Sequence, residues 1–123
     1  MPAKRKDFLT RAKSAHQLTK VTVPGMDGEE VFAKVLSAAE IRAITEQCKL
    51  PGTDDNGDDK YDDAKVVLMV VAASIVDGKG SSLIPIDRHE EIDDLPNAIK
   101  IALQNGAMKA NGMGDVGGAD QNP

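Results

Sequence analysis

Aromatic side chains are nearly missing from this chain: 123 residues include no tryptophan, one tyrosine and two phenylalanines. Without rows of rings there are no stacking platforms for single-stranded nucleic acid and no interfacial belts of a membrane protein. A single cysteine, Cys48, excludes an intramolecular disulfide framework. Its apolar helical setting predicts a small buried core residue and not a nucleophile. The longest apolar run, from Val66 to Ala73, is far short of the roughly 20 residues that cross a bilayer. The N-terminus is charged but has no apolar stretch behind it, so a secretory leader is not expected. These absences predict a cytosolic protein.

Catalytic chemistry is also missing from the pattern. His16 and His89 have no acidic or serine partner at a recognisable spacing, and both read as surface residues. There is no dinucleotide fingerprint, zinc-protease motif or cysteine pair, and the run Asp77-Gly-Lys-Gly-Ser-Ser lacks the spacing of a phosphate loop. An enzyme is therefore the least expected class, with no cofactor and no metal. The acidic stretch 53–63 comes nearest to a metal site. Asp54, Asn56, Gly57 and Asp63 fall on EF-hand positions 3, 5, 6 and 12, and the flanking elements can be read as helices. However, Gly52 at the first position has no side-chain oxygen, and Asp63 is shorter than the usual glutamate. A solvated acidic loop explains the same residues.

What is present is an apolar share of 41% built from aliphatic residues, enough for one core, with Phe32 and Tyr61 as its expected aromatics. Charge is divided unevenly. Residues 1–20 carry six cations against Asp7, a balance of +5, which leaves −10 on the rest of a chain of net charge −5. Such an arm could touch nucleic acid or a membrane, but it reads better as a solvated segment or one that pairs with an acidic neighbouring subunit. The organisation expected is a flexible basic arm over 1–16, a single globular domain over 17–113 and a disordered tail over 114–123.

Within the domain, Thr19 to Val23 alternates polar and apolar as a half-buried strand does. The turn cluster Pro24-Gly25-Met26-Asp27-Gly28 leads to a second strand over Val31 to Leu36. Ser37 and Glu40 form a capping box, and the helix they start carries Ile41, Ile44 and Cys48 on one stripe until Pro51-Gly52. A second helix runs to Val76, apolar on nearly every side, and its neighbours could include another copy of the chain. After the Asp77 turn come a short extended piece (Leu83 to Ile86), a short helix opened by Asp87 and Glu90, and a last helix opened by Leu95-Pro96. Asn105-Gly106 or Asn111-Gly112 ends it, the latter with Gly112 as left-handed cap. The fold class predicted is α+β, mainly α: a short N-terminal β-hairpin followed by three to four helices.

The order of these signals resembles the tail assembly chaperones of siphophages and related prophages. It runs from the hairpin start at 21–28 through Leu36-Ser37-Ala-Ala-Glu40, Val76-Asp77-Gly-Lys-Gly80 and Leu95-Pro96 to Asn111-Gly112-Met113, over about residues 19–113. The acidic insertion at 53–60 and Met113, where leucine is commoner, depart from the family pattern. The resemblance implies a non-catalytic protein of the host cytoplasm, absent from the mature virion. It would bind the tape measure protein, help recruit the major tail protein and act as a homo-oligomer, without nucleic acid or membrane. Many family members also exist in a longer frameshifted form. The alternative is a structural tail component of the virion, such as an adaptor or tail-terminator-like subunit. The last helix offers Leu95, Ile99, Leu103, Met108 and Met113 as a candidate partner-binding stripe; for Leu95, Ile99 and Leu103, ordinary core packing accounts for the pattern better.

Overall fold

The computed structural model describes residues 8–10, 18–26 and 28–113. Apart from a helical turn at 8–10, the basic arm lies outside the described residues, as do His16 and the tail. The architecture is α+β and mainly helical. Strand β1 (Leu18–Val21) pairs antiparallel with β2 (Val31–Lys34), which gives the expected N-terminal hairpin. Helix α1 (Ala38–Gln47) follows, then a second hairpin, β3 (Lys49–Thr53) with β4 (Asp59–Tyr61). The central helix α2 (Asp63–Ser74) runs directly into β5 (Ile75–Val76). A 3₁₀ segment (Ile86–Asp94) then leads to α3 (Asn97–Ala110).

Each boundary has a local cause. The Ser37 hydroxyl accepts the Glu40 N–H at 3.1 Å while the Glu40 carboxylate accepts the Ser37 N–H at 2.8 Å. This closes the capping box that starts α1. Ser37→Ala is expected to lower stability by about 1 kcal/mol, seen as a modest drop in the midpoint of urea unfolding with an unchanged slope. Helix α1 stops four residues before Pro51, because the proline ring would collide with the Gln47 carbonyl and has no N–H to offer it. Helix α2 starts at Asp62, whose carboxylate accepts the Lys65 N–H. It ends where two β-branched residues, Ile75 and Val76, favour extended backbone.

The second hairpin and β5 correct the expected outline. The acidic loop is the turn between two unexpected short strands, with a bulge between Leu50 and Thr53. The end of the long apolar helix is the third strand of a sheet ordered β1-β2-β5, with Phe32 opposite Val76 and Ala33 opposite Ile75. The 3₁₀ segment differs as well. Pro85 stands at its start with no side-chain cap, and Arg88 leaves helical geometry, so the Asp87–Glu90 pattern does not cap it. Asn105-Gly106 does not end the last helix, which continues to Ala110.

Packing follows the faces. Val31 and Ala33 of β2 turn toward the helices, and α3 lies across β1 and β2. Helix α2 sits at the centre and touches α1, α3, β2 and the 3₁₀ segment, which bury Met69, Val70, Val71 and Ala72. The neighbours that its apolar surface demands are thus supplied by the chain itself. Cys48 and Ile44 complete one side of the core, and Leu103, Ala107 and Met108 the other. Neither expected aromatic is buried in this core. Tyr61 is half-buried on β4, and Phe32 is half-buried on the other face of the sheet, over the turn at Gly78.

Candidate functional site

Two short loops share one construction. In each, the first aspartate accepts two backbone N–H groups with one carboxylate oxygen. Asp54 Oδ1 takes Asn56 at 2.8 Å and Asp58 at 3.0 Å; Asp77 Oδ1 takes Lys79 at 2.8 Å and Ser81 at 3.0 Å. Three residues on, a glycine donates its N–H back to the aspartate carbonyl at positive φ, +84° for Gly57 and +85° for Gly80. This is the turn chemistry of an Asp-x-x-Gly hairpin loop, where the side chain replaces a backbone partner and glycine takes the left-handed position. It removes the basis of the EF-hand reading: helices α1 and α2 do flank the stretch, but the residues between them form a β-hairpin instead of a calcium loop, and Asp54 is already committed to its own turn. Among the described residues, no three His, Cys, Asp or Glu side chains gather as metal ligands.

The backbone N–H groups of Ser81 and Lys79 hold the Asp77 carboxyl below the ordinary aspartate value. A carboxylate favoured in the folded state contributes above its unfolded pKa and ceases to contribute as pH falls through the lower, folded one. The 77–81 turn is therefore expected to stay closed through the normal aspartate range and to loosen only in stronger acid. A carbon-detected NMR titration of Asp77 checks this by its low midpoint, and Asp77→Asn should abolish the response.

His89 is not the surface residue expected. It is buried, with Nδ1 2.8 Å from the Ile86 carbonyl. A 3₁₀ helix repeats every three residues, which aligns His89 with Ile92, itself 1% exposed, against α2. Cys48 occupies the predicted core position. Its Sγ is 3.6 Å from Met69 Sδ, and burial pushes the thiol pKa up, which is the opposite of nucleophile activation.

The strongest polar constellation was not expected from the sequence in this role. Asn111 Oδ1 accepts the Leu36 N–H at 2.6 Å. Its Nδ2 lies 3.0 Å from Ser74 Oγ, 2.9 Å from the Ala107 carbonyl and 3.4 Å from the Lys34 carbonyl. One amide thereby ties the exit of β2, the end of α2 and the end of α3. Its orientation is fixed chemically, since Leu36 needs an acceptor and the two carbonyls need a donor. The helix behind it closes on Gly112 at φ +69°. Met113 N–H reaches the Met108 carbonyl at 2.9 Å and Gly112 N–H reaches Lys109 at 3.2 Å, the two bonds of a Schellman cap.

That cap accounts for part of the candidate stripe, because Met108 and Met113 occupy the two positions at which this motif commonly carries apolar residues. Leu103 and Met108 are buried in the core, while Leu95, Ile99 and Met113 are half-buried against it. Only the last three present surface. Large apolar side chains that face outward lie elsewhere, among them Ile101 on α3, Leu83 just before the 3₁₀ segment and Ile86 at its start, Leu50 on β3, and Leu18 and Val35 by the first hairpin. No helix is long and apolar enough to cross a membrane among the described residues. No protein-family model matches the chain, and no curated protein or solved structure matches it at a significant level.

Proposed function

We propose that this chain is a non-catalytic tail assembly chaperone of a long-tailed bacteriophage. In this reading it binds the tape measure protein in the host cytoplasm, promotes assembly of the tail tube and stays out of the finished virion. The observation that carries the reading is the meeting of separate signals at Asn111. The Leu36-Ser37 helix start and the Asn111-Gly112 stop are 75 residues apart in sequence and joined by one hydrogen bond. Ser74, two residues before the Val76-Asp77 turn, completes the same network. Two of the ordered signals that resemble the family thus share one structural task, with a third close by, which supports the reading.

A chaperone for long helices needs apolar surface that remains available while its own core stays closed. Ile101, Leu83 and Ile86 offer such surface, with the half-buried Leu95, Ile99 and Met113 adding flexible side chains that adapt to different partners. The outer edge of β1 gives a second copy a place to pair, which suits action as a homo-oligomer.

Co-expression with the cognate tape measure protein tests the proposal. The tape measure protein should stay in the soluble fraction and co-purify with this chain. If its solubility is the same with and without the chain, the reading fails. Mass spectrometry of purified virions separates the alternative, since recovery of the chain in stoichiometric amount would make it a structural tail component.

A further inference from the structure

Asparagine followed by glycine occurs at Asn56-Gly57, Asn105-Gly106 and Asn111-Gly112. Glycine in second place leaves the following backbone nitrogen open to approach, and it permits the dihedral angles that bring this nitrogen to the asparagine side chain. The reaction is intramolecular. The glycine nitrogen bonds to Cγ of the asparagine, the Cγ–Nδ2 bond breaks, and Nδ2 leaves as ammonia with the proton lost from the amide. Water then opens the five-membered imide at one of its two carbonyls, giving aspartate or, with the main chain rerouted through the side chain, isoaspartate. No oxidant or other reactant is needed. What differs among the three sites is the surrounding structure.

We propose that Asn56 is a site of spontaneous deamidation in the folded protein, and that the fold protects Asn105 and Asn111. Asn56 stands at the exposed tip of the second hairpin, in a stretch where every residue from 51 to 60 is exposed. The Gly57 N–H is held there by a single bond to Asp54, 3.0 Å long and open to water. Asn111 is the opposite case. Its carboxamide is engaged on both ends, and removing Nδ2 requires the end of α3 to separate from β2 and α2. Asn105 lies inside α3, where the helix holds the backbone, and Gly106 after it packs so closely on Val21 that even an added Cβ would collide. Reaction at the last two sites therefore waits for local or global opening, whereas Asn56 needs none.

The product is tolerated where it forms. It adds a negative charge beside Asp54, Asp55, Asp58 and Asp59, and isoaspartate lengthens the main chain by one methylene. Both changes fall at a tip that contributes nothing to the core. The protein should therefore age into a charge-heterogeneous population that still folds.

Trypsin separates the three sites cleanly, because Lys49, Lys60, Lys100 and Lys109 place each asparagine in its own peptide. The full chain is incubated at mildly alkaline pH, below its unfolding temperature, and digested at intervals. Conversion is read as the amide-to-acid mass change, with isoaspartate confirmed by enzymatic methyl transfer. The Asn56 peptide should convert at least about tenfold faster than the other two, whose protection reflects the need for opening. In urea the three rates should converge. Gly57→Ala should slow the Asn56 peptide alone. Equal rates in the folded chain, or faster conversion at Asn105 or Asn111, would overturn the proposal. So would a rate at Asn56 that rises tenfold on unfolding, because the hairpin would then be protective.

Discussion

Asn111→Ala is expected to cost about 3 kcal/mol of stability. The change removes little apolar surface, so the loss comes from the groups left behind. The Leu36 N–H loses its only acceptor and Ser74 Oγ, on a residue with 0% exposure, loses its donor. Each buried polar group without a partner costs about 1–3 kcal/mol. A domain of this size shifts its midpoint by about 4–8 °C per kcal/mol. Differential scanning calorimetry should therefore show a drop on the order of 15 °C, large for a single half-buried residue. A fall of only a few degrees would mean that water replaces the amide and that the lock is not structural.

Asn111→Asp separates size from chemistry. The carboxylate can still accept the Leu36 N–H, but it faces the Ala107 and Lys34 carbonyls with no hydrogen to give them. Repulsion there favours the protonated acid in the folded state, so the aspartate pKa would be raised on folding. The sign follows from linkage: the penalty is present above the folded pKa and is relieved as pH falls through it toward the unfolded value. Asn111→Asp should thus be markedly destabilised at neutral pH and recover part of the difference in mild acid, where Asn111→Ala shows no such recovery. Ser74→Ala provides a third comparison, since it removes one member of the network without orphaning Leu36.

How much of this was legible in the sequence depends on whether a feature is local. Ser37 with Glu40, and Gly112 after Asn111, are bonds between near neighbours, and the residue types alone imply them. The first hairpin was also visible, because Thr19 to Val23 alternates and a turn cluster follows. The strand β5 was not, because two residues carry no period; Ile75 and Val76 become a strand only by pairing with β2. The second hairpin was hidden for a different reason. All of β3 is exposed, so it shows no apolar alternation. The usable signal was the Asp-x-x-Gly spacing at 54–57, which repeats at 77–80, where it was read correctly as a turn. His89 reads as a surface residue because the short helix around it is polar; its burial comes from the three-residue turn that sets it in register with Ile92.

The candidate stripe shows the same limit from another side. Periodicity sets Leu95, Ile99 and Leu103 on one apolar face, to which Met108 and Met113 add adaptable side chains, but a face that meets a partner and a face that meets the core have the same pattern. Burial divides them: Leu103 and Met108 belong to the interior, while Ile101, across the helix from Ile99 and Leu103, is nearly half exposed at 47%. Partner contact is thus better sought through variants of Ile101, Leu83 and Ile86, which leave the core intact. Asn111 was recognised as part of a helix stop, but its long-range task needed the third dimension. Nothing in the spacing of residues 36, 74 and 111 announces that they meet.

Gly106→Ala is expected to destabilise the protein although it replaces the poorest ordinary helix former with the best. In an isolated helix the exchange would gain about 1 kcal/mol. Here a Cβ on residue 106 would lie 2.7 Å from Cγ2 and 2.9 Å from Cγ1 of Val21, well inside contact distance. Valine is branched at Cβ and cannot fold its methyls away, so β1 or α3 must move. Such overpacking costs about 1–3 kcal/mol, and after the propensity gain the net effect should be a loss of up to about 2 kcal/mol. Because β1 is an edge strand held on one side by β2, the movement should fall on it. Hydrogen exchange should quicken at its amides, especially Val21, while the amides of α2 stay protected. Gly106→Val should strip β1 from the helix altogether. The decisive measurement is the double variant. Val21→Ala removes the two methyls that collide and leaves only Cβ, at 3.3 Å from the new methyl. Gly106→Ala placed on that background should be neutral or stabilising. A thermodynamic cycle over the four proteins should show favourable coupling of about 1–3 kcal/mol. Additive effects would mean that α3 and β1 already stand far enough apart for a side chain, and that the glycine has no packing role at this crossing.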